Sequence, residues 1–443
     1  MSRWLRMWAL PALVTLAGCG KDDDGGDPTP PSKALEGTWR TEGHGYSVRF
    51  EKDTVTFYEV TEVSCLPSIS GTLEDGVLPG IGLTFKADGD RMLIQSAGTV
   101  HIAATRAPLP EVCSRTLPPD DPVSNFEVFW HTFAEQYALF DLYGVDWKAR
   151  YAQFRPRVPA ATTDDALFAL LSEMLVPLPD AHTYLVAGER TFEPKPRPAW
   201  AEHYLEELTT YVDTHYRGGP GVTVVGGGRL AWKSLNERVG YIYIGGMAGF
   251  PGEMSDEGTE MAAAGRAIDE ALEALGDKEA LIVDVRFNLG GYDAVSLAIA
   301  SRFTEAKQLA FTKKARAGAG FTPPREHHFS PAGPRQYTRP VYLLTSQVTV
   351  SAAEIFTMAM SALPHITVLG ERTNGAHSDA LSRTLPNGWK VSLSHEVYTA
   401  PDGQVYERIG LPPDVELDMD VPSLVAGTDR ILQEALQRAM TGG

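Results

Sequence analysis

The chain has 443 residues, too many for one hydrophobic core of ordinary size, so two or three domains are expected. A composition of 43% apolar, 22% charged and 9% aromatic residues, with a mean hydropathy of -0.16, excludes wholesale disorder, a collagen-like repeat and a polytopic membrane protein. With 57 acidic and 39 basic side chains the formal charge is -18, which repels phosphate backbones and argues against nucleic acid as a partner.

Residues 1–18 combine a short basic start (Arg3, Arg6), an apolar run from Trp8 to Leu16 that is too short to span a bilayer, and small residues ahead of Cys19. This reads as a secretory signal peptide. Leu16-Ala17-Gly18-Cys19 resembles a bacterial lipobox, whose cysteine is lipidated and becomes the mature N-terminus; an ordinary secretory signal with an incidental cysteine is the alternative. Residues 19–33 are expected to hold the lipidated cysteine and a flexible tether, in which Lys21 to Ser32 carry Asp22-Asp23-Asp24, two glycines and three prolines. The expected place is the bacterial cell envelope, lipid-anchored, facing the periplasm or the cell surface. Cys65 and Cys113 then remain, and an oxidising compartment favours a disulfide between them, two buried free thiols being the alternative. No Cys/His spacing suggests a metal.

Over 34–115 the stretches 46–50, 54–58, 81–85, 91–95 and 99–103 alternate with period two, separated by turns such as Asp88-Gly89-Asp90. They predict a small antiparallel sandwich or barrel. The segment 121–235 begins with Phe126, Phe129, Trp130, Phe133, Tyr137 and Phe140 at helical spacing, a core face. A second helix is expected over 164–176, from the Thr163 cap to Pro177, followed by the loop Asp180-Ala181-His182-Thr183. Residues 186–235, rich in Gly and Pro, read as irregular.

From 236 to 443 strands and helices alternate. Strands are expected at 239–244, 280–286, 340–345 and 366–369, and helices at 256–275, 292–303 and 351–362. An antiparallel pair near 389–399 and one last helix over 424–440 follow. This order predicts a βαβ-type α/β core.

Two segments of that core carry chemistry. In the first, an apolar strand ends and Ser351-Ala352-Ala353-Glu354 opens a helix. The pattern is a capping box. It is also a good place for a nucleophile, because the N–H groups and positive dipole end of a helix can stabilise an oxyanion. In the second, strand 280–286 carries Asp284 and Arg286 and breaks at Asn288-Leu289-Gly290-Gly291, where paired glycines let exposed backbone N–H groups approach a ligand.

Together, in this order, the segments resemble the C-terminal-processing and tricorn-type serine peptidase family. The Asp-x-Arg-x-Asn-x-Gly-Gly strand end stands here as Asp284 to Gly291, and the Ser-Ala-x-Glu nucleophile helix as Ser351 to Glu354. Gly370 to Gly375, Glu407 to Asp414 and the histidine loop at His182 also match, so the resemblance spans roughly 121–420. It implies a mixed α+β or α/β fold: a crotonase-like ββα-type peptidase core with a helical N-terminal subdomain, preceded here by the small all-β domain. A peptide-binding PDZ insertion is not expected, since only about 55 residues, much of them Gly/Pro-rich, separate His182 from Val239.

Processing peptidases of this family place a lysine base after Gly375, where this chain has Ala376. The tricorn-type branch uses a histidine and a glutamate instead, at positions matched by His182 and Glu407; the serine often found before that histidine is Ala181 here. The resemblance therefore implies Ser351 as nucleophile, His182 as base, Glu407 as its support, and an oxyanion hole from the N–H groups of Ala352 and Gly290 or Gly291. His377 is an alternative base. His327-His328 lacks the HExxH helix of a metal site and is set aside. The expected substrate is a peptide or unfolded protein, with no cofactor and no metal. The alternative from another class is a non-catalytic carrier of peptide or of a small apolar ligand in the same cleft.

Overall fold

The computed structural model describes residues 34–442, so the expected signal peptide, the expected tether and Cys19 lie outside the described residues. Eight strands come first: Gly37–Thr41 (β1), Tyr46–Glu51 (β2), Thr54–Val60 (β3), Cys65–Thr72 (β4), Val77–Leu78 (β5), Leu83–Asp88 (β6), Arg91–Gln95 (β7) and His101–Arg106 (β8). Helices Pro122–Gln136 (α1), Phe140–Tyr143 (α2), Trp147–Phe154 (α3) and Asp164–Leu175 (α4) lead to a hairpin, Tyr184–Ala187 (β9) and Arg190–Phe192 (β10). Next come Ala201–His215 (α5), Thr223–Val225 (β11), Leu230–Ser234 (β12), Val239–Ile244 (β13), Glu257–Leu275 (α6), Ala280–Asp284 (β14) and Asp293–Ala300 (α7). Gln308–Ala317 (β15), Gly320–Phe321 (β16), Arg325–Phe329 (β17), Val341–Thr345 (β18), Ala352–Ser361 (α8) and Ile366–Gly370 (β19) follow. Ala380–Thr384 (β20), Lys390–Ser394 (β21), Glu396–Thr399 (β22), Val415–Glu416 (β23), Val421–Val425 (α9) and Arg430–Thr441 (α10) complete the order. No helix among the described residues is long and apolar enough to cross a membrane.

The chain forms two compact units. The first holds the described residues up to 196 together with 314–324 and 378–397; the second holds 197–313, 325–377 and 398 onward. This partition cuts across the boundaries at 115 and 235 expected from composition. The β module and the helices before 196 share one unit, and 197–235 goes with the core.

In the first unit β1–β8 form one antiparallel sheet in the order β4-β3-β2-β1-β8-β7-β6-β5. Alternate residues point inward, as a one-sided sheet requires, so Trp39, Val48, Phe50, Val55, Phe57 and Ile94 build its core. A disulfide joins Cys65 on β4 to Cys113, with Cα atoms 4.8 Å apart. The aromatic stripe of α1 (Phe126, Phe129, Phe133) packs with Trp147, Leu171, Leu185 and Val391 in a second core. That core covers the four-stranded sheet β10-β9-β21-β20. The pair expected near 389–399 is instead the hairpin β20–β21, turned at Asn387-Gly388, where Gly388 supplies φ 84°.

In the second unit a seven-stranded sheet runs β11-β12-β13-β14-β18-β19-β23, antiparallel as far as β13 and parallel from there. Strands β14 and β18 are buried at every residue, which is why both read as unbroken apolar runs. Ile242, Leu281, Val283 and Leu343 pack with Ala264, Ile268 and Phe356 of α6 and α8.

Two expectations fail here. Residues 186–235 are not irregular: besides short strands they hold α5, whose buried Leu208, Tyr211 and Val212 keep helical spacing between Gly/Pro-rich flanks. The last helix is broken, with α9 ending at Val425 and Asp429 capping α10 by accepting the Leu432 N–H. The break places Asp429 against Arg286, whose Nη1 and Nη2 donate to its two carboxylate oxygens at 2.8 Å each.

Candidate active site

Strand β18 delivers the chain into a short loop at Ser346 and then to Ser351, the residue before α8. Ser351 sits at φ 61°, ψ -130°, a region that L-residues avoid and that strain-holding functional turns use. The sharp turn leaves Ser351 half-buried, whereas residues 352–360 of the helix are buried throughout. Several hydrogen bonds hold the loop. Ser346 Oγ donates to the Arg286 carbonyl at 2.5 Å and Thr349 Oγ1 to that of Val285 at 3.0 Å. The Val350 N–H reaches the Asn288 carbonyl at 3.3 Å, and the Ser351 N–H reaches that of Ala376 at 3.1 Å.

The capping box read from the sequence is present, and Glu354 does more than cap. Its buried carboxylate accepts Thr373 Oγ1 at 2.6 Å, Gly375 N–H at 2.7 Å, Ala376 N–H at 2.8 Å and Ser351 N–H at 3.2 Å. The serine turn and the 373–376 loop therefore share one carboxylate. Ala376, in place of the family's lysine, is fully buried with its N–H on that carboxylate.

The glycine pair is placed by close packing. A Cβ on Gly290 would lie 2.7 Å from Ser351 Cβ and 3.1 Å from Ala352 N, so this backbone runs directly beside the serine turn. A Cβ on Gly291 would strike the Met247 carbonyl at 2.3 Å. Only glycine fits either position.

The two oxyanion candidates of this pair are not equivalent. The Gly290 N–H donates to Asn288 Oδ1 at 2.9 Å. Met247 uses the Gly290 carbonyl and the Tyr292 N–H, so the Gly291 N–H faces the other way, as alternation along an extended segment requires. Ala352 is the first residue of α8, and its N–H has no acceptor inside the helix.

His377 and Glu407 meet in the second unit. The buried Glu407 accepts the His377 backbone N–H at 2.9 Å, and His377 Nε2 lies 3.5 Å from Glu354 Oε1. Backbone contact packs the two loops together: Arg408, at φ 71°, donates its N–H to the Gly375 carbonyl at 2.7 Å. His182 belongs to the first unit and is buried. Its loop is shaped by Asp180, which accepts His182 N–H at 2.9 Å, and Thr183 Oγ1 and Tyr137 Oη at 3.1 Å each. Sequence reasoning missed the positioning roles of Asp180, Asn288 and Glu354. A carboxylate or amide two or three residues from a candidate group was the available signal.

Beneath the site, Arg286 is fully buried and also pairs with Asp284, Nη2 to Oδ2 at 2.7 Å, and with the Tyr216 hydroxyl at 3.0 Å. Burial pushes the Asp429 carboxyl up, but Arg286 and the Tyr216 hydroxyl outweigh it and hold the group below the ordinary aspartate range. Burial pushes the Tyr216 hydroxyl far above its usual value.

A strained serine opening a helix after a buried parallel strand, beside a glycine pair and fixed by buried carboxylates, defines a site of the serine-hydrolase type on a mixed α/β core. The sequence model of peptidase family S41 matches residues 238–417, and that of the tricorn protease C1 domain matches 118–176. The chloroplastic C-terminal processing peptidase of Tetradesmus obliquus is 26% identical over 153 residues, covering 34% of this chain and 32% of that protein. The carboxy-terminal processing protease CtpA of Bacillus subtilis is 23% identical over 156 residues, covering 35% and 32%. The match thus spans about a third of the length of each curated relative.

Among solved structures, a candidate peptidase from Parabacteroides merdae is 28% identical with TM-score 0.61, covering 73% of this chain and 98% of that one. Mature CPAF complexed with lactacystin, at 12% identity and TM-score 0.56 over 73% and 99%, shares the fold. The S41 and tricorn C1 matches and the C-terminal-processing relatives support a C-terminal-processing and tricorn-type serine peptidase family for the matched residues, and the mixed α and β architecture is the one expected.

Proposed function

We propose that this protein hydrolyses peptide bonds with Ser351 as the nucleophile. The observation that carries the reading is the Ser351 turn itself: a half-buried hydroxyl residue held at φ 61° at a helix N-terminus, with the Gly290-Gly291 backbone packed against it. In this reading Ser351 Oγ attacks the substrate carbonyl, the Ala352 and Gly291 N–H groups hold the oxyanion, and a base takes the serine proton and returns it to the leaving amine. His182 is assigned as that base, and water then releases the acyl group. Glu407 supports the site, and its bond to the His377 N–H fits a role in fixing the 375–377 loop. The substrate class is a peptide or unfolded protein chain. The test is fluorophosphonate labelling and hydrolysis of a denatured protein. Both should be lost in Ser351→Ala with the fold intact, and labelling that persists would place the nucleophile elsewhere.

We further propose attachment to the cell envelope through lipid on Cys19. The signal-like residues 1–18 and the Cys65–Cys113 disulfide, which suits an oxidising compartment, support it. Metabolic labelling with a fatty acid should mark the expressed protein and not its Cys19→Ser variant; equal labelling of both would reject the anchor.

A further inference from the structure

The first unit buries a second chemical cluster, unrelated to the serine turn. His44 Nε2 lies 3.7 Å from Glu396 Oε1, and His395 Nε2 lies 4.0 Å from the same oxygen. One ligand atom from each of the three residues falls within 4.8 Å of the other two. Both imidazoles are oriented from behind. His395 Nδ1 is 3.1 Å from the Asp379 carbonyl and His44 Nδ1 is 3.4 Å from that of Glu42. A carbonyl only accepts, so these contacts suit the tautomer with its proton on Nδ1, the form in which Nε2 can ligate a metal. Metal-ligating histidines are held in just this way by their outer hydrogen bonds.

The backbone is committed to the arrangement. His44 has φ 61° between Gly43 at 72° and Gly45 at 64°, three left-handed residues in a row. Histidine enters that region more readily than most side chains, and its surroundings can hold it there. The surroundings do so: a Cβ on Gly45 would lie 2.3 Å from Gln136 Nε2, and Arg383 donates to the His44 carbonyl, to Tyr46 Oη at 2.8 Å and to Gln136 Oε1 at 2.8 Å. The strained turn presents the His44 imidazole to Glu396.

We propose that His44, His395 and Glu396 bind a divalent transition metal, with zinc the best fit, in a site that clips the β1–β2 turn to the end of β21. Two imidazoles and one carboxylate suit zinc and its neighbours, whereas calcium and magnesium prefer all-oxygen shells. Ligands about 2.1 Å from a tetrahedral zinc stand about 3.4 Å from one another, so the observed 3.7 and 4.0 Å need to close by only a few tenths of an ångström. Three protein ligands leave a fourth position for water.

The test uses the full chain, stripped with a chelator and titrated with zinc against a chromophoric competitor, with metal content and melting temperature measured alongside. One zinc per chain and a zinc-dependent rise in melting temperature are expected. His44→Asn, which tolerates the left-handed backbone, and Glu396→Gln, which keeps the shape, should each weaken binding at least tenfold and abolish the rise. Should Glu396→Gln fail to fold, His44→Asn carries the test, because asparagine tolerates the left-handed backbone of that half-buried turn. His131→Ala controls for the more open cluster Glu62, His131 and Glu135 and should leave binding unchanged. Absence of saturable uptake, uptake unaffected by His44→Asn, or uptake lost only in His131→Ala would each overturn the proposal.

Discussion

Glu354 Oε2 accepts the backbone N–H of Ser351 at 3.2 Å while the same carboxylate holds Thr373, Gly375 and Ala376. One buried acid thus ties the serine turn to the loop where relatives keep a lysine. Glu354→Gln would bring an amide NH2 against N–H donors, and a stranded buried donor costs about 1–3 kcal/mol. We expect Glu354→Gln to lose about 3 kcal/mol of stability and most hydrolytic activity. Denaturant melts and hydrolysis rates check both, and an unchanged rate in a stable variant would deny the acid its role.

Gly290→Ala tests the closeness of the glycine strand. Its new methyl would sit 2.7 Å from Ser351 Cβ at a φ of 90°, so something must move. Overpacking of this kind costs about 1–3 kcal/mol, and a displaced serine loses far more in rate than the fold loses in stability. The expected result is a fall in kcat of about 100-fold or more with a folded protein. A variant with normal kcat would show that the approach is not needed.

Asp429 supplies a pH signature. Its carboxyl is held below the ordinary aspartate range in the folded chain, with Arg286 and Tyr216 overcoming burial. A depressed acid stabilises the fold above its unfolded pKa, about 3.9, and that contribution is lost as pH falls through the lower folded value. Asp429→Asn should therefore destabilise the protein at pH 7 by about 3–5 kcal/mol, the range for breaking a buried ion pair. It should also flatten the decline in stability below about pH 4. Melting temperatures across pH 2–7 for both proteins decide it.

The assignment of the base separates two histidines. His182→Asn should lower kcat by about 100-fold to 10,000-fold, the usual contribution of a general base. His377→Asn should act on stability more than on chemistry, since its Nε2 faces buried Glu354. With a neutral imidazole as base, activity should fall on the acid side as the ring takes up a proton. A profile rising only near the lysine range would count against either histidine.

Reducing the Cys65–Cys113 bond, which joins residues 48 apart, should cost about 4 kcal/mol in the chain-entropy view. Denaturant unfolding with and without reductant measures it, and coincident transitions would show that the bond contributes little.

Much of this protein was legible residue by residue. Alternation marked β2, β3 and β7; the cap at Thr163 marked α4, where its side chain accepts an N–H of the first turn. Those signals are local because hydrogen bonds and periodic burial act between near neighbours in the chain. Ser351 and the Gly290-Gly291 pair could be read for the same reason: a tight turn constrains its own residues.

What the sequence determined by itself was therefore the elements, the serine-bearing turn and the family pattern. Tertiary structure alone decided that Glu354 serves a second loop, that Gly290 spends its N–H on Asn288, that the last helix breaks so Asp429 can meet Arg286, and that His44 faces His395 and Glu396. Each of these joins groups that reach one another only after distant segments pack. Burial makes a charge or an N–H find a partner, but it leaves no periodic trace of which one.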